Sequence, residues 1–196
     1  MPEFILAQTK LDWFTTISAL LYVILAARNN PWCWLFGALA SATWAYVDVV
    51  QYQLYSDAGL QGFYVVMAGV GLDNWQFGGE EQENLEIQVM TKRDHLYLIS
   101  GGLAGGMLLG YFIWETLPAA ATYWDSITTT FSIGATVFLL QRKLENWLYW
   151  IGIDLVYIGI YWSREAWFFA ILMILYTVIA AWAYWNWRKI IKTSSK

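Results

Sequence analysis

The clearest chemical pattern in the sequence lies between positions 147 and 161. Trp147, Trp150, Asp154, Tyr157 and Tyr161 stand at i, i+3, i+7, i+10 and i+14, and on a helix turning about 100° per residue they project within an arc of roughly 80°. Four aromatic rings and one carboxylate on a single face suit a flat ligand that is cationic or donates hydrogen bonds. The rings stack on it and attract positive charge, and the carboxylate accepts its N–H groups. A second stripe, Gln61, Tyr64, Gly71 and Trp75, has the spacing i, i+3, i+10 and i+14. It adds a hydrogen-bonding amide, two more rings and a small residue that admits close helix contact. Asp48 and Asp125 are further acidic candidates. Packing against neighbours is the ordinary role of aromatic stripes in apolar helices, and with 14 Trp in the chain it takes most of them, Trp182, Trp185 and Trp187 included.

The elements that must hold these stripes are apolar. Of 196 residues, 59% are hydrophobic and only 13% charged, against about 25% charged in a soluble domain. So few charges cannot cover a soluble surface, which leaves lipid to cover it. A spanning helix needs about 20 mostly apolar residues, and seven segments approach that length: 12–27, 32–55, 60–77, 96–114, 119–140, 147–162 and 167–187. Breaks fall at Asn29-Asn30-Pro31, at Ser56-Asp57-Ala58-Gly59, in the acidic stretch 78–93, at Glu115-Thr116-Leu117-Pro118, at 141–145 and at Ser163-Arg164-Glu165. The N-terminus carries Glu3 and has no basic region or cleavage site of a removable signal, so the first span is expected to remain. Asp154 then lies near the middle of a span, where a charge costs several kcal/mol unless water, a partner or a ligand meets it.

Basic residues orient the spans. With seven crossings and the C-terminus inside, the inner side holds Arg28, Lys92, Arg93, Arg142, Lys143, Arg188, Lys189, Lys192 and Lys196, leaving only Lys10 and Arg164 outside. The expected fold is therefore an all-α membrane protein of seven transmembrane helices, N-terminus out and C-terminus in. The sequence also echoes itself. Asn29-Asn30-Pro31-Trp32-Cys33-Trp34 opens span two much as Glu145-Asn146-Trp147 opens span six, and each run has a Tyr near its outer end, Tyr55 and Tyr161. Spans one to three are expected to repeat as spans five to seven, a 3+1+3 arrangement of parallel repeats. On that plan 1–77 is the first three-helix repeat, 78–115 a cytoplasmic loop and linker helix, and 116–196 the second repeat with a basic cytoplasmic tail.

Several function classes fail on inventory. There is no HExxH, GxSxG or Walker motif, and one His and one Cys cannot build a metal or redox site. Every Lys falls in a loop or tail, which excludes a retinal Schiff base within the membrane. His95, beside Asp94, is expected to be structural or solvated, Asp73 to reach the inner interface, and Glu80-Glu81-Gln82-Glu83 to be a solvated loop with no nucleic-acid role. No enzyme activity, cofactor or metal is expected.

At 145–154 the sequence Glu-Asn-Trp-Leu-Tyr-Trp-Ile-Gly-Ile-Asp resembles the Trp-x-x-Trp-x-x-x-Asn/Asp signature of the Pnu vitamin transporters. Tyr123-Trp124-Asp125-Ser126 and the run from Leu54 to Gln61 are similar to that family as well. The resemblance implies a SWEET-like fold, a bacterial inner-membrane location and a homo-oligomer, a trimer among the options. It also implies facilitated diffusion of nicotinamide riboside, thiamine or riboflavin, trapped inside by a cytoplasmic kinase. It places ligand contacts on Trp147, Trp150, Asp154 and Gln61. Two positions depart from the nicotinamide riboside members: Asp154 stands where they carry Asn, and Gly71-Leu72-Asp73-Asn74-Trp75 where they tend to read Gly-Trp-Tyr-x-Trp. A carboxylate suits an aminopyrimidine and a thiazolium, so thiamine is the leading expectation. Nicotinamide riboside, or a membrane ligand sensor that does not transport, is the alternative.

Overall fold

The structure is a computed structural model that describes residues 10–47, 50, 55–78, 86–116, 122–163, 165 and 167–194. The described residues form seven helices: α1 Lys10–Ala27, α2 Cys33–Val47, α3 Tyr55–Phe77, α4 Lys92–Thr116, α5 Thr122–Leu140, α6 Asn146–Ser163 and α7 Trp167–Ser194. They fall into two compact units, Met1–Leu85 and Glu86–Lys196. By length and composition alone, α1 and the stretch Trp167–Thr193 of α7 are apolar enough to cross a membrane. Of the other five, α2 is described over 15 residues, and α3 and α4 carry charged or glycine-rich turns that dilute their apolar content.

Two helices begin about a turn earlier than the apolar runs suggest. The helix α3 starts at Tyr55, so the expected break at 56–59 lies inside its first turns. Ser and Asp are residues that favour helix starts, and the glycine after them is tolerated there. The helix α4 starts at Lys92 because Thr91 and Asp94 cap it reciprocally. The Asp94 N–H donates to Thr91 Oγ1 at 3.2 Å and the Thr91 N–H donates to Asp94 Oδ2 at 2.8 Å. That backbone N–H, with help from Lys143, holds the Asp94 carboxyl below the usual carboxylate range. At the other end of the chain, α7 continues past the expected limit, and Lys192 in its last turn complements the negative end of the helix.

In the first unit α2 packs on both α1 and α3. The centre is the Trp34 ring of α2, buried at 2% exposure, tilted on Tyr22 of α1 at 5.9 Å and T-shaped on Trp75 of α3 at 5.5 Å. Gly71 is what lets that ring in: a Cβ there would collide with the Trp34 indole.

In the second unit each helix packs on the next, α4 on α5, α5 on α6 and α6 on α7. The approach of α4 to α5 depends on glycine. A Cβ on Gly106 would fall 2.6 Å from the Ile127 Cα, and Thr130 Oγ1 donates to the Gly102 carbonyl at 2.8 Å. The segment before α4 is clasped to the turn between α5 and α6. Gln88 and Arg142 share a 3.0 Å backbone bond, Leu144 N–H donates to Gln88 O at 2.7 Å, and Met90 N–H donates to Glu145 Oε2 at 2.6 Å. Lys143 adds a bond to Gln88 Oε1 and an ion pair with Asp94 at 3.6 Å.

The turn from α1 to α2 and the turn from α5 to α6 match bond for bond. Asn29 N–H donates to Ala26 O at 2.8 Å and Arg142 N–H to Leu139 O at 2.9 Å. Asn30 N–H donates to Leu25 O at 3.0 Å and Lys143 N–H to Phe138 O at 2.9 Å. These are the paired bonds of a left-handed helix cap, and Asn29 and Arg142 have φ of 54° and 53°. The following helices start alike, with Trp34 N–H on Pro31 O at 3.2 Å and Trp147 N–H on Leu144 O at 3.4 Å.

Candidate functional site

The aromatic and acidic stripe is continuous on α6, but its members differ in what covers them. Trp147 in its first turn is buried at 2% exposure and T-shaped on Trp187 of α7, centroids 5.5 Å apart. Near the other end Tyr157 stacks on Tyr161 at 5.8 Å, and Tyr161 meets Phe169 of α7 at 5.4 Å. Between them Trp150 is half-buried and makes no ring contact or hydrogen bond with the described residues. Asp154, one face-turn further on, is 5% exposed and has no hydrogen bond to a described residue. A buried carboxylate without such a bond is costly, which makes Asp154 a candidate for contact with a ligand or water.

One residue of α7 that interacts electrostatically with Asp154, Tyr176, escaped the sequence reading. One signal could have found it: Tyr176 precedes Trp187 by the same eleven positions that separate Tyr64 from Trp75. Small buried residues recur between them, Ala68 and Gly71 on α3, Ala180 and Ala183 on α7.

On α3, Gln61 and Tyr64 are half-buried, and Tyr64 lies 5.6 Å from the Phe63 ring. Trp75 is 5% exposed and occupied by Trp34, so its ring is covered on the side that α2 fills. Asp125 sits exposed in the first turn of α5, where a carboxylate suits the positive helix end. Asp48 lies outside the described residues. Asp73 is exposed on α3. His95 is placed by structure: its Nδ1 shares a 2.7 Å hydrogen bond with the Tyr149 hydroxyl. Among the described residues no three His, Cys, Asp or Glu side chains gather as a metal site would require. Rings that stack, a carboxylate that accepts and an amide that both donates and accepts can recognise a ligand reversibly.

Comparison with known proteins agrees with that chemistry. A family profile described as Nicotinamide mononucleotide transporter matches residues 9–189. The chain is 26% identical to the nicotinamide riboside transporter PnuC of Neisseria mucosa, over 94% of this chain and 75% of that one. It is 22% identical to the nicotinamide riboside transporter PnuC of Haemophilus influenzae, over 96% and 84%. A solved structure described as the crystal structure of the vitamin B3 transporter PnuC superposes with a TM-score of 0.75 at 24% identity, covering 97% of this chain and 86% of the other. These relatives are named as transporters, not enzymes, and none of these three is named for thiamine. The chain belongs to the nicotinamide mononucleotide transporter family, the Pnu-type vitamin transporters, and is a multi-pass membrane protein.

Proposed function

We propose that the chain carries nicotinamide riboside across a bacterial inner membrane by facilitated diffusion. The observation that carries this reading is that the chain aligns along nearly its whole length with relatives named nicotinamide riboside transporters. The thiamine expectation rested on two departures, Asp154 and the run Gly71-Leu72-Asp73-Asn74-Trp75, and the carboxylate that was its chemical argument is too weak to hold the substrate. A carboxylate accepts a hydrogen bond from the NH₂ of a carboxamide as readily as from an aminopyrimidine, and the nicotinamide riboside ring is itself a cation that aromatic faces attract. The residues we assign to this function are Trp147, Trp150 and Asp154 of the signature, with Tyr157 beside them, and, within the first unit, Gln61, Tyr64 and Trp75 of α3.

The architecture that serves this function is a SWEET-like pair of parallel three-helix repeats, N-terminus out and C-terminus in, with α4 as linker and the protein assembled as a homo-oligomer. The matched turns after α1 and α5 support the repeat. A cytoplasmic kinase that phosphorylates the vitamin would supply direction to this facilitated diffusion.

Titration of purified protein separates the two vitamins. Wild type should bind nicotinamide riboside more tightly than thiamine. Asp154→Asn should keep nicotinamide riboside affinity within about tenfold, because the amide oxygen still accepts from the carboxamide. Tighter binding of thiamine by wild type would overturn the assignment of substrate and leave the transporter class intact.

A further inference from the structure

We propose that Trp147, the first residue of the signature, is a positioning residue: it sets α6 against α7 so that Trp150 and Asp154 meet the vitamin, and the vitamin does not stack on it. This divides the site assigned under Proposed function and rests on that assignment.

The argument comes from the two units read side by side. Residue 34 follows the left-handed cap residue Asn29 by five positions, as residue 147 follows Arg142. Each is a tryptophan at 2% exposure. Each lies T-shaped on a second tryptophan near the far end of the next helix, Trp34 on Trp75 at 5.5 Å and 88°, Trp147 on Trp187 at 5.5 Å and 89°. Neither indole N–H finds an acceptor among the described residues, and the contacts shown for the two rings are aromatic.

The rest of the signature does not recur. In the register that places Trp34 on Trp147, Gly37 stands for Trp150 and Ser41 for Asp154. The Gly37 position is filled from outside its helix, since a Cβ there would lie 3.0 Å from the Tyr22 ring. A feature present in both units, including the one without the remaining signature, serves what both units share, which is the packing of one helix on the next. Features present in one unit alone serve the asymmetric task, the recognition of a ligand. A stacking residue must also offer a ring face, and at 2% exposure Trp147 offers none, whereas Trp150 is half-buried and makes no ring contact.

A double-substitution cycle in the full-length protein tests this, with nicotinamide riboside affinity measured by calorimetry in Trp147→Ala, Trp187→Ala and the double variant. Trp187→Ala should lower affinity about as much as Trp147→Ala, by roughly tenfold, and the double variant should be no worse than the weaker single within about threefold. Trp147→Phe, which keeps a ring and forfeits no hydrogen bond, should restore affinity to within about threefold of wild type. Losses that multiply in the double variant, or a Trp187→Ala variant with wild-type affinity beside an impaired Trp147→Ala, would overturn the proposal.

Should the alanine variants not fold, 5-fluorotryptophan labelling with ¹⁹F NMR reads the wild-type fold directly, each resonance assigned by its loss in the Phe variant. Nicotinamide riboside should shift the Trp150 resonance far more than that of Trp147, and the reverse order would overturn the assignment. Absence of any nicotinamide riboside binding by wild type would strike the functional reading itself. The Trp147–Trp187 coupling is read separately, as non-additive loss of unfolding temperature in unliganded protein.

Discussion

Gly71→Leu should abolish the packing of α2 on α3, while Gly69→Leu, two residues away, should leave it intact. At Gly71 the first side-chain carbon already collides with the Trp34 indole. That ring cannot retreat, because Tyr22 and Trp75 hold it and its exposure is 2%. At Gly69 nothing lies within 4 Å, and the position is exposed. Overpacking a filled site costs about 1–3 kcal/mol and more where no neighbour can give, and an immovable indole puts Gly71→Leu at or above the top of that range. The measurement is the unfolding temperature and monodisperse yield of the two variants in the same detergent. Equal behaviour of the two would show that the Trp34 wedge does not hold the first unit together.

Trp150→Ala should lower nicotinamide riboside affinity about tenfold to a hundredfold, with little change in unfolding temperature. Stacking a base-like ring on an aromatic side chain is worth roughly 1–3 kcal/mol, and cation–π attraction adds to it when the site is dry. The same ring has no aromatic partner among the described residues, so its removal takes little from the fold. This separation of affinity from stability distinguishes Trp150 from Trp147, whose ring is spent on Trp187. Calorimetric titration and thermal unfolding of the one variant read both quantities. Unchanged affinity in folded protein would remove Trp150 from the site.

The apolar run and the 3.6-residue stripe make α6 and the place of its carboxylate legible in the sequence, the first because lipid demands apolar length and the second because helical periodicity sets which residues share a face. The same signals could not tell which rings on a stripe are already covered. Trp147 and Trp75 share a face with Trp150 and Gln61 in sequence, and only the packing of α7 and α2 shows that their rings are occupied. Helix starts were misjudged where capping chemistry extends a helix beyond its apolar run, as Thr91 and Asp94 do for α4. Tyr176 was passed over because an aromatic residue in an apolar helix is ordinarily given to lipid. The clasp of Gln88 on the turn after α5 joins segments 55 residues apart, and backbone pairing of that kind leaves no trace in composition. The thiamine expectation finds no support in the relatives' names, and its chemical ground was narrow: one acceptor in place of another changes which atoms pair, not which class of molecule fits.

The central claim is that this chain moves nicotinamide riboside passively. Purified protein reconstituted in liposomes, given radiolabelled nicotinamide riboside outside and no ion gradient, should fill the lumen until inside and outside concentrations match, with excess unlabelled nicotinamide riboside, and not thiamine, suppressing the uptake. A lumen that stays empty while the protein binds the vitamin, or one that fills with thiamine and excludes nicotinamide riboside, would contradict it.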